Sequence, residues 1–410
     1  MTHQPRIETP IDINRHVTSK NRLFKSAMSE QLADTQANPS AELIHLYKEW
    51  AKGETGIVLT GNVMIDRNAL GEPRNVVLDK QSDLQRFRDW AAAGSANNTQ
   101  LWMQLNHPGK QIPSVLCKQP VSPSAIPLGG DMAAMFNPPR ALTEAEIQTI
   151  IGQFAWAAEQ AKRCGFSGVQ IHAAHGYLCS QFLSPLQNQR SDQWGGSFEN
   201  RCRFVLEVYR AIRGAVGDDF AVAIKLNSAD FQRGGFSENE SAELVKLLEA
   251  EGIDLVEISG GNYEQPSMVG ADQKASTVAR EAYFIEFAQQ LAAQTQLPLV
   301  VTGGFRTLSV MNRALAEGSC AMIGIARPLA VLPDYSARLL GGEECPLPMR
   351  KITTGISKLD TAVMLDITWY EHQLERIGLG KGAKPGMSAW RSVLKTFWAL
   401  GGVVISRRRA

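Results

Sequence analysis

Short apolar segments and longer amphipathic segments alternate from about residue 22 to residue 335. An apolar run of about 4–8 residues is typical of a strand buried on both faces, whereas apolar positions three and four apart indicate a helix. The predicted strands are Leu23–Met28, Gly56–Gly61, Gln100–Leu105, Gly168–His172, Phe220–Leu226, Leu255–Ser259, Leu299–Thr302 and Cys320–Gly324. Helices are predicted over Ser40–Lys52, Thr143–Cys164, Ser197–Val216, Ser237–Glu251, Arg280–Gln294 and Leu308–Glu317. This alternation predicts an α/β fold of the TIM (β/α)8 barrel type.

Two segments depart from the alternation. The stretch Pro108–Arg140 is rich in Pro and Gly, so we expect an excursion or lid over the barrel mouth that contacts ligand. After about residue 341 a linker-like segment leads into a new helical stretch over Thr361–Arg376. We therefore predict a barrel domain over residues 1–340 and a C-terminal helical extension over residues 341–410.

The end of the extension, Trp390–Ile405, is apolar but interrupted by Arg391 and Lys395, and basic residues follow at Arg407–Arg409. A membrane span needs about 20 apolar residues, which this segment lacks. Two placements stay open. We favour packing on the barrel or on a neighbouring subunit over contact with a membrane surface.

Composition and charge argue against nucleic acid as a partner, against a secretory signal and against an iron–sulfur cluster. The net charge of +1 offers no electrostatic attraction to nucleic acid. The polar N-terminus has no apolar signal segment, so a cytoplasmic protein is the expectation. The 6 cysteines are scattered without a C-x-x-C pair, which favours free thiols and predicts no iron–sulfur cluster.

The candidate catalytic residues are His172, His175 and Tyr177, which follow a predicted buried strand. A lone histidine in such a place is more often structural, but three such side chains together favour chemistry. We expect no metal, because no third ligand stands at a usual zinc spacing. Two neutral imidazoles can instead bind a carbonyl oxygen and stabilise its growing negative charge, while a phenol supplies a proton.

Other strand ends carry further candidates. Lys225 interrupts an apolar strand, and burying an unpaired ammonium costs several kcal/mol, so it needs either a partner or an exit to solvent at the strand end. Gly303 and Gly304 follow the seventh strand, and Ala326 and Arg327 follow the eighth. Glycine backbone N–H groups and an arginine fork predict a phosphate site there.

The segment from His172 to Arg201, which contains His-Ala-Ala-His-Gly-Tyr and Ser-Pro-Leu-Gln-Asn-Gln-Arg, resembles the signature of the old yellow enzyme family of flavin-dependent ene-reductases. The segment Asn21–Ser29 is similar to the family segment that passes along the flavin ring. Gln104-Leu105-Asn106-His107-Pro108-Gly109-Lys110 is similar to the family's Gln-Leu-x-His-x-Gly-Arg, with Lys in the place of Arg. The resemblance covers about residues 6–335.

The resemblance implies a set of cofactor-binding residues. They are Ser26, Ala27, Met28, Ser29, Gln104, Lys225, Gly303, Gly304, Ala326 and Arg327. Ser29 stands where relatives carry Thr or Cys against the flavin C4 carbonyl and N5 edge. Gln104 suits the alternating carbonyl and N–H edge of a pyrimidine, and Lys225 matches a cation beside N1. No G-x-G-x-x-G pattern follows a strand, so FMN is expected rather than FAD.

The implied activity is reduction of the activated C=C of an α,β-unsaturated carbonyl compound, with NADH or NADPH as the hydride donor. His172 and His175 would hold the carbonyl oxygen, and Tyr177 would protonate the α-carbon. The alternative enzyme is an NAD(P)H:flavin oxidase or dehydrogenase that passes electrons to oxygen or a quinone. A flavin-binding partner protein with little catalysis is disfavoured by the intact His–His–Tyr set. The physiological enone, the choice of donor and a homo-oligomeric state stay open.

Overall fold

Eight parallel strands form a closed barrel in the computed structural model of this protein, which describes residues 4–130, 133–260, 284–347 and 351–407. In chain order they are β1 Leu23–Lys25, β2 Ile57–Met64, β3 Gln100–Asn106, β4 Gly168–Ala173, β5 Ala221–Asn227, β6 Leu255–Ser259, β7 Leu299–Thr302 and β8 Met322–Ile325. Each strand pairs with the next, and β8 pairs with β1. The predicted barrel is confirmed.

Helices alternate with these strands. They are α1 Ala41–Lys52, α2 Leu84–Gly94, α3 Glu144–Arg163, α4 Leu178–Leu183, α5 Phe198–Val216, α6 Glu238–Glu251, α7 Ile285–Ala292, α8 Leu308–Ala316, α9 Tyr335–Leu340, α10 Ser357–Ala362, α11 Leu365–Gly378 and α12 Ala389–Arg407. Thr143 and Ser237 begin α3 and α6 with reciprocal capping boxes. The start of the predicted helix Arg280–Gln294 lies outside the described residues.

The first strand is shorter than predicted. It ends at Lys25, and the Ser26 N–H makes a last bond to the Ile325 carbonyl oxygen at 2.9 Å. Because β8 ends at Ile325, the ladder stops there and Ser26–Ser29 continues as irregular backbone. A strand pattern alone does not reveal where the neighbouring strand ends, so the prediction ran three residues too far.

The barrel interior is divided between an apolar and a polar half. Phe24, Leu59, Trp102 and Met322 belong to an apolar cluster inside the barrel, which the N-terminal residues Ile13 and Val17 join. Nearer the carboxyl ends of the strands, the buried side chains are polar: Gln104, Gln170, Lys225, Glu257 and Ser26. Active sites of TIM barrels lie at this carboxyl face, so the polar half marks the candidate site.

Apart from residues 131–132, which lie outside the described part of the chain, the segment Pro108–Arg140 contains no α-helix, as predicted. Val121–Ser122 pairs with Arg140–Ala141 in a small parallel sheet. Lys110, which is 2% exposed, donates to the carbonyl oxygens of Ile126 and Pro127 at 3.1 Å each. Lys110 therefore holds this segment in place through hydrogen bonds to its backbone.

The C-terminal extension packs on the barrel's outer shell. Trp369, Leu374 and Ile377 of α11 belong to the same apolar core as Tyr47 and Trp50 of α1. At the α1–α11 crossing, a Cβ added at Gly378 would lie 2.5 Å from the Glu42 carbonyl oxygen, so glycine permits the close approach of the two helices. The division at residue 341 stays a prediction. Within the described part of the chain, no helix is long and apolar enough to cross a membrane.

Candidate active site

His172, His175 and Tyr177 lie together at the carboxyl end of β4. The ring centroids of His172 and His175 are 5.0 Å apart, and those of His172 and Tyr177 are 4.9 Å apart, with edge-on ring arrangements in both pairs. His172 and Tyr177 are only 3% and 5% exposed. The structure thus assembles the predicted imidazole and phenol groups into one compact cluster.

A tight turn produces this cluster. His175 and Gly176 have φ values of 62° and 75°, consecutive left-handed conformations that reverse the chain immediately after the strand. The His175 backbone N–H donates to Asn227 Oδ1 at 3.2 Å, which ties the turn to the end of β5. Tyr177 then occupies the N-terminal cap of α4. The sequence His-Gly at the turn is what allows both rings and the phenol to meet.

Both histidines are held neutral. Burial, followed by the positive charge of Lys225, lowers the pKa of each ring well below its usual range. Nδ1 of His172 accepts a hydrogen bond from the Ala174 N–H at 3.3 Å, which assigns the proton of the neutral ring to Nε2. His172 is therefore an uncharged hydrogen-bond donor at neutral pH.

His175 has an additional partner that the sequence did not indicate. Its Nε2 lies 2.7 Å from the Ser259 hydroxyl at the end of β6, and Ser259 is 4% exposed. One imidazole nitrogen of His175 is therefore engaged within the protein. The signal was present in the sequence, because Ser259 is the polar residue that ends a predicted strand.

A chain of buried polar groups crosses the barrel below the imidazoles. Lys225 Nζ lies 3.0 Å from Glu257 Oε1, and these side chains are 5% and 0% exposed. Glu257 also accepts from Gln170 Nε2 at 2.8 Å, and Gln170 Oε1 accepts from Gln104 Nε2 at 2.8 Å. Lys225 is thus paired inside the barrel and does not reach solvent at the strand end. Glu257, which the sequence analysis missed, stands out as an acidic residue within an apolar strand.

The Ser26–Ser29 segment connects this series of buried polar groups to the C-terminal extension. Thr302 Oγ1 lies 2.7 Å from Ser26 Oγ and donates to Glu257 Oε1 at 2.7 Å. Ser29 at the other end of the segment donates to a carboxylate oxygen of Glu371, which belongs to α11. The C-terminal extension therefore reaches the predicted cofactor segment, a contact that no sequence motif indicated.

The predicted phosphate residues lie at the ends of β7 and β8. Gly303 and Gly304 have φ values of 108° and 94°, so consecutive backbone positions here are closed to most L side chains. Ala326 precedes the turn Arg327–Ala330, and Arg327 is partly exposed. Burial raises the pKa of Asp366 on α11, and the positive charge of Arg327 opposes part of this rise. Irregular backbone next to an arginine is suited to an anion.

The residues fit the pyrimidine edge of a flavin in one specific respect. Gln104 Oε1 is buried and has no hydrogen-bond partner within the described part of the chain, while its Nε2 is fixed by Gln170. A buried carbonyl oxygen without a donor costs about 1–3 kcal/mol. A ligand N–H in the barrel would satisfy it. Among the described residues, no group of three or more His, Cys, Asp and Glu side chains could hold a metal ion.

Comparison with known proteins assigns the chain to a family. Residues 7–344 match the family model described as NADH:flavin oxidoreductase / NADH oxidase. The NADH-dependent flavin oxidoreductase iliE of Hypocrea jecorina is 39% identical over 349 residues, which cover 79% of this chain and 86% of that protein. This match spans the barrel and most of the relative's length.

Solved structures show the same architecture. A 2-naphthoyl-CoA reductase in complex with 2-naphthoyl-CoA matches with a TM-score of 0.77 and 29% identity, over 83% of this chain and 53% of that one. The old yellow enzyme homologue from Zymomonas mobilis matches with a TM-score of 0.70 and 23% identity, over 85% and 95% of the two chains. The latter likeness supports the fold alone.

Proposed function

Because this chain belongs to the NADH:flavin oxidoreductase / NADH oxidase family and is an NAD(P)H-dependent flavin oxidoreductase, we propose that it is an FMN-dependent ene-reductase that uses NADH. The proposed substrates are small α,β-unsaturated carbonyl compounds. The family uses FMN, and relatives named as NADH-dependent support the choice of donor. The observation that carries the substrate class is the His172–His175–Tyr177 cluster, in which the ring centroid of His172 lies 5.0 Å from that of His175 and 4.9 Å from that of Tyr177.

The two imidazoles form the carbonyl-binding part of the proposed site. Nε2–H of His172 donates to the substrate oxygen, and His175 adds a second donor once the Ser259 hydroxyl rotates away from its Nε2. Neutral rings are suited to this task, because they stabilise developing negative charge without first losing a proton to it. The positive charge of Lys225, which helps to keep them neutral, lies on the adjacent strand.

Tyr177 is the proposed acid. Its ring stands edge-on against His172, so a carbonyl oxygen bound by the imidazole brings the neighbouring carbon towards the phenol. An ordinary phenol has a pKa of about 10, and it becomes a competent acid only toward a much more basic carbanion. Tyr177 therefore delivers its proton to the α-carbon.

We also propose which residues bind FMN. Gln104 binds the pyrimidine edge through its unsatisfied Oε1, and Lys225 places its positive charge beside that edge. The Ser26–Ser29 segment, which includes Ala27 and Met28, follows the ring. Gly303, Gly304, Ala326 and Arg327 bind the phosphate. Bound FMN supplies the hydride chemistry, accepting from NADH and donating to the alkene.

NADH oxidation by oxygen is the second candidate, and one contact favours it. The Ser259 hydroxyl occupies His175 Nε2, so the second carbonyl donor needs a rearrangement that a small oxidant does not require. A relative from Thermoanaerobacter brockii, 30% identical over 351 residues, is named NADH oxidase, and the chain covers 52% of it. Electron transfer to oxygen uses the cofactor residues without the His–His–Tyr set.

One experiment separates the two. The purified protein is loaded with FMN, its visible flavin band is bleached with NADH under nitrogen, and the reduced enzyme is then mixed with either cyclohexenone or air. An ene-reductase reoxidises with cyclohexenone and forms the saturated ketone. Reoxidation by air alone, with no product from the enone, would exclude the proposed reaction. NADPH in place of NADH is the matched test of the donor.

A further inference from the structure

The loop that follows β5 carries an exposed aromatic side chain at the carboxyl face of the barrel. Phe231 is 48% exposed, and its φ of 56° lies in the left-handed region. That conformation is unfavourable for a bulky L side chain, and a half-exposed ring offsets little of the strain through burial. Strain of this kind concentrates at functional sites, so the position favours ligand binding over a structural role.

The protein holds the Phe231 ring in a fixed place. The ring stacks on that of Phe284, with centroids 6.4 Å apart and planes inclined by 30°, and Phe284 is 6% exposed. A Cβ added at Gly260 would lie 2.7 Å from Cε2 of Phe231 and 2.7 Å from Cε1 of Phe284, so glycine leaves room for both rings. Gly260 follows Ser259, the partner of His175. The exposed ring therefore packs beside the proposed carbonyl site.

Hydrogen bonds also fix the loop that presents this ring. The Asp230 N–H donates to the Phe236 carbonyl oxygen at 2.9 Å, and the Phe236 N–H donates to Asp230 Oδ2 at 3.1 Å. Within the loop, the Gly235 N–H donates to the Gln232 carbonyl oxygen at 2.9 Å. A ring on a loop closed in this way loses little freedom when a ligand stacks on it, which favours affinity.

The same loop and the start of α6 border an open cavity of about 450 Å³. Its lining comes from Ala229, from residues 231–236 of the loop and from residues 237–239 at the start of α6. Ligand pockets usually occupy about 300–1,000 Å³, so this one has room for half of a dinucleotide. Its lining combines the Phe231 ring with one cation, Arg233, and one carboxylate, Glu238.

We propose, in an inference that rests on the proposed NADH-dependent function, that this cavity binds the adenosine diphosphate part of NADH. Adenine stacks on the exposed face of Phe231, as bases stack on aromatic side chains of other proteins. Arg233 pairs with the pyrophosphate. Glu238 accepts from the ribose hydroxyls and repels a 2′-phosphate, so the cavity selects NADH over NADPH.

The size of the two substrates favours the donor over the enone as the occupant. A small enone is contained by the His172–His175–Tyr177 cluster, which leaves the cavity empty. The nicotinamide of NADH binds at the same reacting position, but its pyrophosphate and second ring system extend beyond it. The β5 loop is a direct neighbour of that position, because Asn227 at the end of β5 accepts from the His175 N–H at 3.2 Å.

The first test measures binding without catalysis. ADP-ribose, which lacks the nicotinamide, is titrated calorimetrically into the FMN-loaded protein. Phe231→Ala should weaken its binding by about 5–150-fold, the usual effect of losing one base–aromatic stack, and Phe231→Tyr should retain it. Arg233→Gln should weaken binding and reduce its dependence on salt. Leu247→Ala, at a 38% exposed apolar side chain of α6, is the matched control.

The second test divides the donor into its halves. Anaerobic stopped-flow absorbance gives the Kd of the donor from the concentration dependence of flavin reduction. Phe231→Ala should raise the Kd of NADH by the factor found for ADP-ribose. It should leave the Kd of reduced nicotinamide mononucleotide and the reoxidation by cyclohexenone unchanged. Glu238→Gln should lower the Kd of NADPH more than that of NADH, and an equal change would overturn the role of Glu238.

The outcomes separate this inference from the proposed function. Equal ADP-ribose affinity in the unsubstituted protein and Phe231→Ala would overturn the nucleotide site. An effect of Phe231→Ala that is equal for NADH and the mononucleotide, or that is confined to cyclohexenone, would overturn the adenine assignment. If NADH fails to bleach the flavin while ADP-ribose binds in a manner that depends on Phe231, the proposed function fails and the nucleotide site stands.

Discussion

Lys225 and Glu257 stand opposite each other on β5 and β6, with the ammonium 3.0 Å from the carboxylate inside the barrel. Burial opposes ionisation of Glu257, but Lys225 and hydrogen bonds from Gln170 and Thr302 outweigh it and lower the pKa of the carboxyl. Glu257 therefore stays ionised at neutral pH. The pair places the Lys225 ammonium beside His172. Its ion pair with Glu257 explains why a lysine is tolerated in an apolar strand.

Breaking this pair is expected to be costly. Glu257→Ala leaves the Lys225 ammonium buried without a counter-charge, so the free energy of unfolding should fall by about 3–5 kcal/mol. The double variant Lys225→Met/Glu257→Gln leaves neither charge in the barrel. It keeps one carbonyl acceptor for Gln170, and the Thr302 hydroxyl can turn to accept from the new amide, so the double variant should be more stable than the single variant. Urea unfolding followed by circular dichroism measures both. A double variant no more stable than the single one would contradict the uncompensated-charge explanation.

Tyr177→Phe should separate the two half-reactions of the proposed enzyme. FMN content and flavin reduction by NADH should stay close to those of the unsubstituted protein, because the phenol contributes to neither. Reoxidation by cyclohexenone should slow by about 10²–10⁴-fold, the usual contribution of a positioned acid. Anaerobic stopped-flow absorbance measures each step. An unchanged rate with the enone would remove Tyr177 from the proposed mechanism.

His172→Ala tests the carbonyl-binding imidazoles. Phenols imitate an enolate by placing an oxyanion where the imidazoles donate, so their affinity should fall by about 10²-fold or more, as for loss of an oxyanion donor. The change is measured from the charge-transfer absorbance during titration of the FMN-loaded protein. His16→Ala, at an exposed histidine of the N-terminal segment, is the matched control. Equal phenol affinity in the His172 variant would exclude the predicted role.

The barrel and the clustering of three polar aromatic side chains at the end of β4 could be predicted because both depend on local patterns. The strand β6 was predicted with its observed bounds Leu255–Ser259, since a buried parallel strand is a continuous apolar run between turn signals. His172, His175 and Tyr177 are separated by few residues, so their proximity follows from one strand end and one turn. The resemblance to a known family added the roles of residues on other strands.

Long-range partners could not be predicted from one sequence. Glu371 is separated from Ser29 by 342 positions, and nothing in either segment specifies the other. Ser259 meets His175 only because β4 and β6 bring their ends to one barrel face. Glu257 carried a usable signal, because an acidic residue in an apolar strand requires a buried cation.

Acid should destabilise the protein through His107. Burial lowers the pKa of this ring to about 4. As the pH falls from about 6.5 to about 4, the unfolded chain binds a proton that the folded chain does not, so the free energy of unfolding falls with decreasing pH. Nδ1 of His107 accepts from the Gly109 N–H at 3.0 Å, a role that an asparagine oxygen can assume.

His107→Asn should therefore lose less stability in acid. Between about pH 7 and about pH 4.5, the decrease in the free energy of unfolding should be smaller by about 2 kcal/mol than in the unsubstituted protein. Urea titrations at each pH give the difference. The other buried histidines are present in both proteins and cancel. Parallel pH profiles for the two proteins would show that the ring of His107 is protonated in the folded state.

Two truncations should separate the roles of α11 and α12. A chain that ends at Gly341 loses the buried side chains Trp369, Leu374 and Ile377 and exposes the apolar face of α1. Large buried side chains contribute about 2–5 kcal/mol each, so the melting temperature should fall by roughly 10 °C or more. A chain that ends at Met387 keeps α11 and loses only α12. Its melting temperature should stay closer to that of the full chain.

The truncation at Met387 also tests what covers the exposed apolar face of α12. Four large side chains of this helix are 47–87% exposed: Trp390, Leu394, Phe397 and Trp398. We favour a neighbouring subunit as the partner of this face, so deletion of residues 388–410 should reduce the oligomer size measured by light scattering. The alternative is a membrane surface, for which deletion would leave the size unchanged and abolish binding to anionic vesicles. Unchanged size together with lost vesicle binding would therefore decide against the subunit contact.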